Sequence, residues 1–433
     1  MKFEKEKTII YQVFFRMMTP EGTIKAAEKL LPFIASTGVN MLYLCPVCEE
    51  DADERQEFWS GRQVRSGLNN PKNPYRIKDY FEVDEEYGTK QDLKDFVNKA
   101  HELGLGVMFD IVYYHVGITA KLIGLNPEYV ERDENGEVKI GGWHFPVLNY
   151  KSKALREYMT SIMKYYIEEY DVDGFRFDVA GCVTRDYWAE AIPEIRKMKP
   201  DLLLLSEGGD LGLVNDGTFD INYSRIMSVM LAAEGSHAKE IRNFNKSDIN
   251  DYNRNAKGEY ENKLILPFET HDSVTDEGHI DRDFPEGVAE AALLYDFTAN
   301  GTPFIYNGNE IANANKQSMF ANRKYGREYV VDWSWALTEK GKNRLELVRK
   351  LCKLRKEVDE ICYGDMQWLD DESEEMLFYR RNYQGKSVTV AINFTENTVS
   401  LPLAEIDGKP LLFKEFDGEK GQLGAYGYAV IYR

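Results

Sequence analysis

The sequence predicts an α/β fold: a parallel (β/α)8 TIM barrel with a short inserted subdomain after its third strand and a C-terminal antiparallel β-sandwich domain. Three observations predict it. Apolar, β-branched runs alternate with helical patterns eight times between residues 8 and 308. After the third run, residues 115–151 are too many for a simple crossover. Beyond residue 357 helical periodicity gives way to strand spacing with turn breaks.

TIIYQVFFR (8–16) reads as the first strand, and TIKAAEKLLPFIAST (23–37) as an amphipathic helix closed by Gly38. VNMLYLC (39–45) follows as a buried-type strand, then a long polar loop. A helix spans 89–103, with Thr89 as cap and Gly104 as stop, before the third strand GVMFDIVYY (106–114). Within 115–151, RDENGE (132–137) carries an Asn-Gly hairpin signal. A helix at about 153–170 leads to the fourth strand VDGFRFDVA (172–180). LLLLSE (202–207), TFDINY (218–223), KLILPFET (263–270) and TPFIYNG (302–308) complete the eight. These readings place the catalytic barrel at 1–357, its insertion at 115–151 and the β domain, after a helix at about 340–357, at 358–433.

Composition narrows the function. The 433 residues are 43% apolar and 29% charged, ordinary for a globular chain. Lys plus Arg is 54 against 73 Asp plus Glu, a net charge of −19. That excess repels nucleic acid and anionic membranes and favours a neutral or cationic small ligand. The start, MKFEKEKTIIYQVFF, lacks a signal-peptide core, so a cytoplasmic location is expected. Five scattered cysteines fit reduced thiols, and C-P-V-C at 45–48 reads as two buried ones.

Barrel enzymes gather reacting groups at the C-terminal ends of their strands. Strand three carries Asp110 and leads to His115; strand four carries Arg176 and Asp178; strand five ends at Glu207; strand seven ends with His271 and Asp272. Alternation puts Arg176 and Asp178 on one face and Phe175 and Phe177 on the other. Arg176 is expected to lower the pKa of Asp178, keeping it an ionised nucleophile. Burial and negative neighbours are expected to raise that of Glu207, suiting a general acid. Two carboxylates pulled apart in this way are the pattern of glycosidic bond cleavage, and a third, Asp272, would steady an oxocarbenium-like transition state. A metal-dependent hydrolase would need clustered His and Asp ligands, and two rim histidines do not supply them.

At these residues the sequence resembles the α-amylase family of glycoside hydrolases, family 13. FDIVYYH (109–115), DGFRFDVA (173–180), LLSEGG (204–209) and ETHDS (269–273) are similar to four family motifs in order. GTPFIYNGNE (301–310) is similar to the eighth-strand signature, and YQVFFR (11–16), PYRIKDYFEVDEEYGT (74–89) and VLNYKSKALREYM (147–159) to other family segments. The resemblance implies a retaining hydrolase of α-1,4-glucan and maltodextrin oligosaccharides. Asp178 is the implied nucleophile, Glu207 the acid/base and Asp272 the stabiliser. Tyr75 is the implied aromatic stacked on the reacting sugar, with Asp110, His115, Arg176 and His271 around it. The motifs are shared with transglycosylases, phosphorylases, α-glucosidases and sucrose-active members, which stay open. A non-catalytic binding barrel would have lost one of the three acids.

The chain departs from the pattern at three places. Tyr114 stands where the family has an Asn that helps hold a structural calcium, so no cofactor is expected. Asp133, Glu134 and Glu137 read as a solvated hairpin tip rather than a metal site. Thr270 replaces a common Asn beside His271, and AGCV (180–183) lacks the Lys-His pair of many starch-degrading members. The loop 46–74 holds Phe58, Trp59, Arg62 and Arg65 at the expected active face. It is read as a cleft wall with Trp59 stacking on sugar, and the arginines as candidates to meet an anionic group.

Overall fold

The computed structural model describes residues 4–208, 212–233, 236–249, 262–276 and 278–433; Gly209 of the LLSEGG motif lies outside them. Eight parallel strands form one sheet: β1 (Ile10–Val13), β2 (Met41–Leu44), β3 (Gly106–Val112), β4 (Gly174–Asp178), β5 (Leu203–Ser206), β6 (Ile221–Tyr223), β7 (Leu264–Ile265) and β8 (Phe304–Tyr306). Their order is β8-β1-β2-β3-β4-β5-β6-β7. The sheet closes where Ile265 bridges Thr302, whose amide donates to Leu264 O at 2.8 Å. All eight expected strands are therefore present, each within its expected run.

The period of two sets which side chains line the barrel. Ile10, Met41, Met108, Leu203, Leu205, Ile221, Ile265 and Phe304 make an inner apolar cluster. Phe109, Ile111, Phe175, Phe177 and Leu204 belong instead to the outer core, against the helices. Two residues above Met108 the same inward parity gives Asp110; above Gly174 it gives Arg176 and then Asp178; above Leu205 it gives Glu207. Apolar layers fill the base of the barrel, and charge begins only at its mouth.

The helices follow their end signals. α1 (Lys90–Glu102) starts in a capping box of Thr89 and Asp92 and stops at Gly104, φ +79°. α2 (Lys153–Tyr170) is capped by Ser152. The single helix expected at 23–37 is two, Ile24–Glu28 and Leu31–Thr37. Pro32 has no amide to donate and its ring crowds the carbonyl four residues back, which breaks the first helix at its end. The insertion is a loose antiparallel ladder, with bridges His115–Val147, Val130–Leu148, Arg132–Val138 and Ile140–Pro146. Its Asn-Gly tip closes by Asp133 N to Glu137 O at 2.9 Å.

α3 (Glu286–Thr298) and α4 (Glu339–Glu357) carry the chain to the C-terminal strands. These are β9 (Asp365–Trp368), β10 (Met376–Tyr383), β11 (Lys386–Asn393), β12 (Val399–Ser400), β13 (Lys409–Asp417) and β14 (Gln422–Tyr432), joined in one antiparallel sheet. The β10–β11 turn sits on Gln384 and Gly385, both at positive φ, as a two-residue hairpin requires. One face of the sheet, with Leu377, Tyr379, Val390, Ile392 and Val430, joins the main core. The other gathers Met376, Phe378, Ala391, Leu401, Leu423 and Ile431 into a cluster of its own. Apolar layers thus lie on both faces of the sheet.

Candidate active site

Arg176 is fully buried at the barrel mouth and organises the charges around it. Its Nη1 meets Asp110 Oδ1 at 2.7 Å and Asp178 Oδ1 at 3.2 Å, while Nη2 meets Glu207 Oε2 at 2.6 Å. Three carboxylates from β3, β4 and the end of β5 converge on one guanidinium. Asp110 is the floor: it also accepts from Tyr43 OH at 2.8 Å and Tyr75 OH at 2.7 Å. Glu207 accepts a further bond, 3.0 Å, from the Val179 amide. That amide is aimed by Val179 in the left-handed region, φ +40°, a conformation a β-branched residue holds only where its surroundings impose it.

Tyr75 ties the floor to the β7 side. Its hydroxyl lies 2.6 Å from His271 Nε2, and the two rings stack at 5.3 Å and 13°. Gln12, inward on β1, fixes His271 from behind, its Nε2 2.8 Å from Nδ1. Asp272 sits 3.4 Å from His271 Nε2 and 2.7 Å from Arg62 Nη1. Thr270 turns the backbone here, its Oγ1 accepting from Asp272 N at 3.2 Å. His115 lies between Phe145, at 4.8 Å between ring centres, and Trp143, at 5.8 Å, with Nε2 3.1 Å from Tyr75 O.

Burial dominates the proton affinities. It pushes Asp178 well above the usual carboxylate range, against Arg176, with Glu207, Asp110 and Asp272 adding to the rise. This corrects the expectation that Arg176 lowers it: one guanidinium shared by three acids does not offset their desolvation and mutual repulsion. The Glu207 side chain is 24% exposed and paired with Arg176. Asp272 is also opposed by burial, but His271, Arg62 and Arg176 prevail and bring it down to about 2. Burial lowers His115 and His271 to about 4, so both are neutral at ordinary pH.

A cavity of about 200 Å³ opens over these groups, lined by Tyr75, His115, Asp178, Glu207, His271 and Asp272 among others. Asp110 and Arg176 lie beneath it. Trp59 does not line it: the ring is 4% exposed and its Nε1 donates to Asp53 O at 2.8 Å. The loop's contributions to the wall are Ser60, Arg62 and Asn73, with Trp143, Phe145, Met319 and Phe320 from elsewhere. Sequence reasoning missed these last four because they lie in segments without strand or helix periodicity. The clue for Trp143 was its large aromatic in a Gly-rich polar stretch.

Tyr114 occupies the position of the Asn that helps hold a structural calcium in the resembling family. Tyr114 turns its ring edge-on to Trp143 at 5.7 Å. Asp133 Oδ1 is occupied by the amides of Asn135 and Glu137. Among the described residues no group of three or more His, Cys, Asp or Glu could hold a metal ion. Cys45 and Cys48 are buried free thiols, Cys48 within 2.9 Å of Tyr166 OH.

Comparison with known proteins agrees with this architecture. The family model described as "Alpha amylase, catalytic domain" matches residues 7–124 and 138–399. A maltogenic alpha-amylase of Bacillus acidopullulyticus is 25% identical over 415 residues, 88% of this chain and 64% of that protein. A cyclomaltodextrinase of Geobacillus thermopakistaniensis is 24% identical, with the same coverage. The chain thus spans under two-thirds of the length of these relatives. Among solved structures, a noncanonic maltogenic alpha-amylase from Thermotoga neapolitana superposes with a TM-score of 0.78 at 24% identity, covering 100% of this chain and 97% of that one. Since the family match enters at the first barrel strand and runs on into the C-terminal sheet, this chain belongs to the alpha-amylase family.

Proposed function

We propose that the protein is a retaining glycoside hydrolase of α-1,4-linked glucose oligosaccharides. The observation that carries this reading is the pairing of Asp178 and Glu207 on one guanidinium. Carboxyl groups sharing one cation are close neighbours, which favours the retaining spacing of about 5–5.5 Å over the wider inverting one. Asp178 attacks the anomeric carbon and Glu207 protonates the leaving oxygen. Water then releases the glycosyl-enzyme, with Glu207 as base. Glu207 must trade its contact with Arg176 for the glycosidic oxygen as substrate enters. Asp272, ionised at about 2, faces the positive charge of the transition state. Tyr75 offers its ring to the sugar, and neutral His115 and His271 bond its hydroxyls.

The relatives named maltogenic amylase and cyclomaltodextrinase support the substrate class. Two relatives named intracellular maltogenic amylase, from Bacillus subtilis, support a cytoplasmic site of action; no described helix is long and apolar enough to cross a membrane. The same reading assigns 1–357 to the catalytic barrel with its insertion at 115–151, and 358–433 to an accessory domain.

The test is product analysis by proton NMR on maltoheptaose, a cyclodextrin, sucrose and maltose, with and without phosphate. The expected first product is the α-anomer of a glucose oligosaccharide or glucose, unchanged by phosphate. Asp178→Asn and Glu207→Gln each lower kcat by about 10²–10⁴ or more. An inverted anomer, or near-normal turnover by Asp178→Asn, overturns the assignment.

A further inference from the structure

Arg62 stands between two cavities. One is the catalytic pocket of about 200 Å³. The other, about 230 Å³, is lined by Arg65, Thr275, Lys316, Ser318 and Tyr329, and shares Arg62 as its wall. The guanidinium is held on both sides: Nη1 is 2.7 Å from Asp272 Oδ1, and Nε pairs with Asp276 Oδ2.

The stem of Arg62 is equally well held. It rises from the short helix Gly61–Arg65, capped by Ser60, whose Oγ accepts from Gln63 N at 3.1 Å. Buried Gln63 donates to Asn70 O at 2.8 Å, and Asn70 Nδ2 donates to Phe320 O at 2.9 Å. The loop after β2 is thereby fastened to the loop after β8, and Arg62 closes the seam between them.

The barrel order says which end of the substrate this seam meets. Asp178 and Glu207 occupy the β4–β5 arc of the rim. Arg62, Asp272 and Phe320 follow β2, β7 and β8, on the arc running the other way around. The leaving group departs past Glu207, which protonates it, so the opposite arc faces the sugar that stays. A pocket of about 200 Å³ falls below the roughly 300–1,000 Å³ that holds a drug-sized ligand. It has room for one sugar ring; a second would have to displace Arg62 from both acids and enter the outer cavity.

Resting on the hydrolase reading above, we infer that Arg62 is a specificity-determining residue that closes the retained-sugar end of the pocket, so that the enzyme removes single sugars from the non-reducing end. The experiment uses maltotetraose labelled at its reducing end, sampled early. Wild type gives labelled maltotriose and a monosaccharide first. Arg62→Ala joins the two cavities and raises labelled maltose relative to labelled maltotriose by about tenfold, the discrimination one well-placed contact supplies. Asp276→Ala, which frees only one side of the guanidinium, moves the ratio in the same direction by less. The inference is overturned if wild type releases labelled maltose or shorter fragments first. It is also overturned if either variant, folded by circular dichroism and active, keeps the wild-type product order. If wild type cleaves no α-glucoside, the hydrolase reading falls and takes this one with it; cleavage with another product order sinks the Arg62 assignment alone.

Discussion

Arg176 neutralises one charge where three carboxylates meet, and the shortfall sets the chemistry. Asp178 carries most of it, raised by burial and by its acidic neighbours. The nucleophilic role proposed for Asp178 requires it ionised, so the acid limb of kcat/KM is expected to lie above the ordinary aspartate value of 3.8. A pH–rate profile on maltotriose checks this; a limb at or below that value contradicts it. The linked stability has a definite sign. In the unfolded chain Asp178 ionises above 3.8, while in the fold it keeps its proton to higher pH, so its contribution to stability falls as pH rises through that interval. Asn carries no charge to desolvate. Asp178→Asn is therefore expected to raise the melting temperature at pH 7 while lowering kcat by about 10²–10⁴ or more, the trade of stability against activity at a reacting group. His115 and His271 act in the opposite sense. Their folded values of about 4 lie under the ordinary 6.5 of a free histidine, so their share of stability is complete above 6.5 and is lost as pH falls toward 4.

At the scale of elements, short loops do as much as strands. Thr270 and Val179 each turn one backbone segment so that an amide or a side chain faces the pocket. Gly38 ends the second half of the broken helix at φ +102°, and a Cβ there would stand 2.7 Å from Cys352 Cβ on α4. Gly38→Ala therefore meets both a left-handed backbone and an occupied core, and is expected to destabilise by about 1–3 kcal/mol. Urea denaturation measures it, and a loss under half a kilocalorie would show that α4 yields more easily than a packed core should.

For the whole molecule, the C-terminal sheet completes the barrel's outer core. Arg381 Nη1 donates to Thr298 O at 2.9 Å, and Tyr379 OH lies 2.6 Å from Thr298 Oγ1, both against the last turn of α3. Truncation after residue 357 strips this cover from α3, so the shortened chain is expected to aggregate when expressed, and full-length protein to melt in one calorimetric transition. Soluble, active 1–357 would refute it. Because Tyr114 and Asp133 are committed to other contacts, chelation is expected to leave the melting temperature and the activity unchanged. Differential scanning fluorimetry with and without EDTA decides that point.

The order of strands, the ends of most helices and the acids of the rim were written in the sequence, because parallel strands are local apolar runs and inward parity follows from a period of two. The same parity carried Asp110, Arg176, Asp178 and Glu207 to one mouth. Tertiary structure alone decided the rest. It set the proton affinity of Asp178, since desolvation depends on everything packed around a charge and not on its neighbour in the chain. It withdrew Trp59 into the loop and put Arg62 forward, since a loop without period leaves its side-chain directions to the contacts it finds. Pairing across the barrel, between residues hundreds apart such as Gln12 and His271, is fixed only when the sheet closes.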